Sequence, residues 1–330
     1  MSEIKDTSKV TGIDLIANDR SVHVPVLLHE IIAAFRPKYD WYLDGTLGGA
    51  GHALVLAEQF EKHNDRKLNI IGLDRDPQAI ARAHKLLKEK TNRLILENED
   101  YRNLDKVLDK HHIHAVNFIL LDLGISSDEL DNSGRGFTFQ KDEPLWMTMG
   151  DPTNYPFTAK DIVNNWKEED IANVIFGYGE DRYARRIAKH IVSYRQKKKI
   201  ETTMELAEIV KGAVPHFKKF GSSFSKKSIH PATKTFQALR IAVNDELGAL
   251  KEGLNKGFER LNHGGRMAVI SFHSLEDRIV KEFFKEKKDI GQGNILTKKP
   301  TTAGPQELAE NPRSRSAKLR VIEKTVNSKQ

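Results

Sequence analysis

Between Trp41 and Asp122 short apolar segments alternate with amphipathic ones, and three of the apolar segments run directly into an aspartate. Trp41-Tyr42-Leu43 leads to Asp44, Leu68-Asn69-Ile70-Ile71-Gly72-Leu73 to Asp74, and Val116-Asn117-Phe118-Ile119-Leu120-Leu121 to Asp122. Leu94-Ile95-Leu96 adds a further strand. Helical apolar spacing covers Val26 to Phe35, His52 to His63 and Leu104 to His111, and Asp76-Pro77 opens another helix as N-cap and first-turn proline. Such alternation predicts an α/β fold with a doubly wound, mostly parallel sheet.

The alternation stops after Asp122. From about residue 130 to about 220 the chain holds a loop rich in Gly, Asp and Pro, then amphipathic stretches such as Ala184-Ile187-Ala188-Ile191 and Met204-Leu206-Ala207-Ile209-Val210. We expect an inserted helical domain over 131–220, flanked by the two parts of the sheet domain, 21–130 and 221–330, behind a flexible polar tail, 1–20. A long helix from about Thr233 to Leu261 is expected to lead through His263-Gly264-Gly265 into the strand Met267 to Phe272, resuming the sheet. The length of 330 residues suits two such domains.

Composition narrows the chemistry. No cysteine is present, which removes disulfides, thiolate-ligated metals and a thiolate nucleophile. The formal net charge of +7 favours an anionic partner. No apolar run is long enough to span a membrane and the polar start lacks a signal peptide's layout, so a cytoplasmic protein without membrane partners is expected.

The turn Asp44-Gly45-Thr46-Leu47-Gly48-Gly49-Ala50-Gly51-His52 follows the first strand, where a doubly wound sheet binds its ligand. Asp74 lies 23 residues after Gly51, close to the spacing at which an acid meets a ribose hydroxyl. Both features would also suit NAD. However, a dinucleotide fingerprint starting at Gly49 needs glycine at position 54, which is Leu54. The acid at Asp44 also suits a cation better than a pyrophosphate. S-adenosylmethionine carries an ammonium and a sulfonium and no phosphate, and is the cofactor these residues favour.

Longer strings make the chain resemble the MraW (RsmH) family of bacterial 16S rRNA cytosine-N4 methyltransferases. They include His23-Val24-Pro25-Val26-Leu27-Leu28, Asp74-Arg75-Asp76-Pro77-Gln78-Ala79-Ile80 and Leu121-Asp122-Leu123-Gly124-Ile125-Ser126-Ser127. Others are Arg135-Gly136-Phe137, Tyr178-Gly179-Glu180, His230-Pro231-Ala232-Thr233, Arg240 to Leu247, Ser271 to Arg278 and Asn311 to Ser316. The resemblance implies a class I (Rossmann-like) methyltransferase domain interrupted by a helical domain that recognises RNA. Its cofactor contacts carry over to Ala50, Gly51, His52, Asp74, Tyr101, Asp122 and Glu129, where family members commonly have Gln. A second departure is Pro144-Leu145-Trp146-Met147-Thr148-Met149, in place of the usual Pro-Leu-Asp-Met-Arg-Met. The implied partner is 16S rRNA in the small ribosomal subunit, and a homodimer is compatible with the resemblance.

Methylation of cytosine at C5 in RNA normally needs a cysteine that adds to the ring, so its absence disfavours that reaction and leaves the N4 methylation implied by the resemblance open. That exocyclic amine is a poor nucleophile and calls for an acceptor near its N–H. Asp122 is the candidate acceptor as well as a cofactor contact. Ser126 and His273 are the other catalytic candidates, each with a plainer reading as a turn cap or a hydrogen-bonded structural histidine beside Glu276 and Asp277. No catalytic metal is expected, since His52 has no ligand partner at a compelling spacing. Candidate RNA contacts are His216 to Phe220, Phe224 to Lys227, Lys197 to Lys199, Arg313 to Arg320, and Tyr178 with Arg182, Arg185 and Arg186. The competing functions are an NAD oxidoreductase and a ribosome-assembly factor that keeps the fold without turnover.

Overall fold

The computed structural model describes residues 25–215 and 230–325. The tail 1–20 and the segments His216 to Phe220 and Phe224 to Lys227 lie outside them. The chain divides into two compact units, one of residues 1–124 and 247–330 and one of residues 125–246. The second is wider at both ends than the segment 131–220 expected from composition.

The first unit is built on strands β1 (Trp41–Asp44), β2 (Leu68–Asp74), β3 (Thr91–Asn98), β4 (Val116–Asp122), β5 (Leu261–Ser271), β6 (Gly293–Ile295) and β7 (Lys318–Lys324), in the order β3-β2-β1-β4-β5-β7-β6. β1 to β5 pair parallel, and β7 runs antiparallel between β5 and β6. β1 thus lies where the strand order reverses. Side chains alternate across the pleat into two separate cores. Tyr42, Ile70, Phe118, Leu120 and Ile270 face one, with Ile31 of α1 (Leu28–Ala34), Phe35 just after it, and Leu56 and Phe60 of α2 (Gly51–Asn64). Leu43, Ile71, Ile119, Leu121 and Val269 face the other. Its covering side chains come from α4 (Leu104–Lys110), α11 (Glu246–Glu259) and α12 (Ser274–Asp289). Covering both faces explains why these strands read as continuous apolar runs.

Three expectations need correction. The helix Thr233 to Leu261 is two helices, α10 (Thr233–Asn244) and α11, because Asp245 takes a left-handed φ of 46° and ends the first. His263-Gly264-Gly265 lies within β5 rather than before it, where Gly264 at φ 74° accompanies a register shift against β4. The run Arg313 to Arg320, a candidate phosphate contact, ends inside the sheet strand Lys318–Lys324, in which Leu319, Val321 and Ile322 are buried.

The second unit packs α6 (Ala159–Asn165), α7 (Glu168–Gly179), α8 (Ala184–Arg195), α9 (Thr203–Ala213) and α10 around its own core, including Ile162, Ile175, Ile187, Leu206 and Leu239. Capping boxes at Thr158 and Thr202 fix the starts of α6 and α9.

Candidate methyl-donor site

The turn after β1 is shaped by close packing. A Cβ on Gly45 would come within 2.5 Å of Leu121 Cδ2 and 3.0 Å of Tyr101 Cβ. Gly48 and Ala50 take left-handed φ values of 49° and 59°, and Ala50 starts α2 with no side-chain cap. The first N–H groups of α2 therefore receive no hydrogen bond from the N-cap side chain. A Cβ on Gly49 would meet nothing within 4 Å, so the turn borders open space.

Three aspartates at the carboxyl ends of β1, β2 and β4 define the electrostatics. Asp44 is buried; its carboxylate accepts from the Tyr42 hydroxyl at 2.6 Å and the Thr46 N–H at 3.1 Å. Burial pushes its pKa up to about 6, with Asp74 adding to the rise. Asp74 Oδ2 accepts from the Gly48 N–H and Oδ1 from the Asp76 N–H, both at 2.8 Å. A carboxylate has about four acceptor positions, so two remain, as a pair of ribose hydroxyls requires. Asp122 is held well above the ordinary carboxylate range by burial, then by Asp44 and Glu276. Its Oδ1 is buried without a hydrogen-bond partner. Buried acids of raised pKa favour a cation beside them, because its charge offsets the cost of holding theirs away from water.

Neighbouring groups position this set. Thr46 Oγ1 accepts the backbone N–H of Asp122 at 2.6 Å, tying the turn to the end of β4. His52 Nε2 lies 3.0 Å from the Val26 carbonyl, so that nitrogen carries the proton and donates. Its Nδ1 is 3.8 Å from Asp122 Oδ2. Burial lowers the His52 pKa to about 4, leaving the ring neutral at physiological pH. A Cβ on Gly253 of α11 would lie 2.5 Å from Tyr101 Cδ2, so the Tyr101 ring packs directly on that helix. The roles of Thr46, Tyr42 and Gly253 were not read from the sequence. The one available signal was a glycine in the middle of an amphipathic helix, which often marks a close approach.

Residues 20–325 match the MraW methylase family. The chain belongs to the MraW methylase family. Within and around this family, a ribosomal RNA small subunit methyltransferase H from Deinococcus deserti is 46% identical over 314 residues, covering 95% of this chain and 97% of that protein. The protein of that name from Persephonella marina is 45% identical over 303 residues, 92% of this chain and 99% of its own. That from Sulfurihydrogenibium sp. is 48% identical over 297 residues, 89% and 97%. This MraW methylase has a doubly wound, mostly parallel α/β sheet, with Ala50, Gly51, His52, Asp74, Tyr101 and Asp122 all in the unit that carries it.

The remaining candidates stand differently in this MraW methylase. Ser126 and Glu129 belong to the other unit and form a capping box on α5 (Ser127–Asn132). The Ser126 hydroxyl accepts the Glu129 N–H at 3.1 Å, and Glu129 Oε2 accepts the Ser126 N–H at 3.0 Å. Glu129 Oε1 is 3.6 Å from the Arg135 guanidinium. His273 is the N-cap of α12: its Nδ1 accepts the Glu276 N–H at 3.4 Å, and Glu276 Oε2 accepts the N–H groups of Phe272 and His273 at 2.8 and 3.3 Å. Both Ser126 and His273 thus engage local backbone. Arg320 is buried in an ion pair with Asp277, which also takes Lys318, so neither side chain is a free phosphate contact.

Proposed function

We propose that the chain transfers the methyl group of S-adenosylmethionine to the exocyclic N4 of a decoding-centre cytosine in 16S rRNA of the small ribosomal subunit, in the cytoplasm. The carrying observation is the unpartnered, buried Oδ1 of Asp122 beside a glycine turn flanked by Asp44 and Asp74, in a chain of this family. The inserted unit is read as the part that recognises RNA. Bound S-adenosylmethionine supplies an electrophilic methyl on a sulfonium.

The chain's residues then have separable tasks. Asp74 offers its two remaining acceptor positions to the ribose, and Tyr101, held by Gly253, packs beside the turn. Asp44 and Asp122 place negative charge where the donor's cationic groups sit. Burial disfavours the charge of Asp122, and a cation beside it favours the ionised carboxylate, which is a hydrogen-bond acceptor. It can then take the amine's N–H, orienting the nitrogen and drawing off its proton. The target base must be unstacked or presented by the folded subunit, since a paired N4 is engaged.

Mass mapping of 16S rRNA from a strain lacking the gene tests the reaction. N4-methylcytosine is expected to vanish from one decoding-centre position and return with the wild-type gene but not with Asp122→Asn. Its persistence in the deletion strain defeats the proposal. Calorimetry with S-adenosylmethionine on Asp74→Ala tests the ribose contact separately, and equal affinity for variant and wild type removes that assignment.

A further inference from the structure

From Arg182 to Ile200 the chain contains no acidic residue. α8 occupies most of this stretch and buries Ala184, Ile187, Ala188 and Ile191 in the core of its unit. The opposite side carries Arg185, Arg186, Lys189, Ser193 and, just past the helix, Lys197, all exposed. At about 100° per residue these five share an arc of about 120°. Arg195 is excluded because it turns inward, donating to the carbonyls of Val163 at 2.9 Å and Trp166 at 2.7 Å. Lys198 is excluded by its ion pair with Glu205. By contrast, Arg185, Arg186, Lys189 and Lys197 have no ion pair among the described residues.

A solvated helix face usually intersperses both signs, which limits self-repulsion and adds i,i+4 pairs. Here like charges stand at one-, three- and four-residue steps with no acid among them, an arrangement that local stability does not favour. A polyanion relieves it. The face carries no large apolar side chain, so it lacks the hydrophobic half of a membrane-surface helix. Two adjacent arginines with a lysine one turn on suit a row of phosphates, the guanidinium forks taking two oxygens each.

We propose that the exposed face of α8, centred on Arg185, Arg186 and Lys189, docks the sugar-phosphate backbone of the rRNA substrate. This rests on the small subunit rRNA reading above. It assigns the contact to phosphates rather than bases, so the face contributes affinity and placement while leaving the choice of cytosine to other parts of the molecule.

The test compares three full-length proteins by filter binding to unmethylated small-subunit rRNA over a KCl series. They are wild type, Arg185→Gln/Arg186→Gln/Lys189→Gln, and Lys281→Gln/Lys285→Gln/Lys288→Gln, which removes the same charge from α12. The α8 variant is expected to lose on the order of tenfold or more in affinity, with its log K against log[KCl] slope shallower by about 2, three phosphates at ~0.7 each. Its S-adenosylmethionine affinity and melting temperature should match wild type, and Arg185→Lys/Arg186→Lys should recover most of the binding. Equal losses in both variants, or none in either, overturn the proposal, as does loss of binding to phosphatidylglycerol vesicles with rRNA binding intact. If wild type binds as expected but no cytosine N4 is methylated, the enzymatic reading fails and the docking face stands.

Discussion

Asp44 shows how a single residue carries opposed demands. Taking its pKa from 3.8 to about 6 means that the folded chain holds this proton more tightly than the unfolded chain does. The associated stability is therefore complete below pH ~4 and is lost as pH rises through ~6, a span of ~3 kcal/mol for a shift of that size. Asp44→Asn should remove this loss and make the ligand-free protein more stable by about 1–3 kcal/mol at pH 7.5, as read by urea unfolding at pH 5 and pH 7.5. The same substitution should weaken S-adenosylmethionine binding at least tenfold, since the cation loses its buried counter-charge. Titration calorimetry in buffers of different ionisation enthalpy should show proton release on binding by wild type near pH 6, and less by the variant. No proton release would mean that the donor's cation does not reach these acids.

At the scale of elements, close approaches hold the site and the loops. Gly253→Ala places a methyl 2.5 Å from Tyr101 Cδ2, so the ring or α11 must shift. The expected cost is ~1–3 kcal/mol in unfolding free energy, with donor affinity falling alongside. A variant that melts like wild type and binds equally well would show that Tyr101 is not held by this contact. In the second unit, the unusual Trp146 to Met149 loop is clasped by Asn244. The Asn244 amide donates to the Met147 carbonyl at 2.7 Å and the Arg240 carbonyl at 2.8 Å, while its oxygen accepts the Met149 N–H at 2.9 Å. Met147 sits buried at φ 58°. None of these bonds uses a side chain at Trp146 or Thr148, which explains how the loop keeps its course without the Asp and Arg common in the family. Asn244→Ala should cost ~2–3 kcal/mol, because buried backbone groups lose their partners, and should speed proteolysis within the loop.

For the molecule as a whole, the seven-stranded sheet depends on its last strand. β7 lies between β5 and β6, so ending the chain at Ala317 strips β5 of one of its two neighbours and leaves β6 without a pairing partner. Such a truncation is expected to lose cooperative unfolding by calorimetry and circular dichroism; a sharp wild-type-like transition would show that β7 is dispensable. β1, β2, β4 and the apolar parts of β3 and β5 were legible because burial on both faces makes them continuous apolar runs, and the break after Asp122 because the period of the pattern changes there. β7 was not legible: Lys318, Arg320, Glu323 and Lys324 give it a charged look, and its burial rests on distant partners, Asp277 for Arg320 and Lys318 and Arg266 for Glu323. Likewise, sequence alone determined the turn, the acids ending β1, β2 and β4 and the missing cysteine, all of which are fixed by local pattern or composition. Which acid is left with an unpartnered oxygen, which serine and histidine are occupied as helix caps, and which cations remain unpaired were decided by tertiary structure. Burial and hydrogen-bond partners depend on residues far apart in the chain, as Thr46 and Asp122 are.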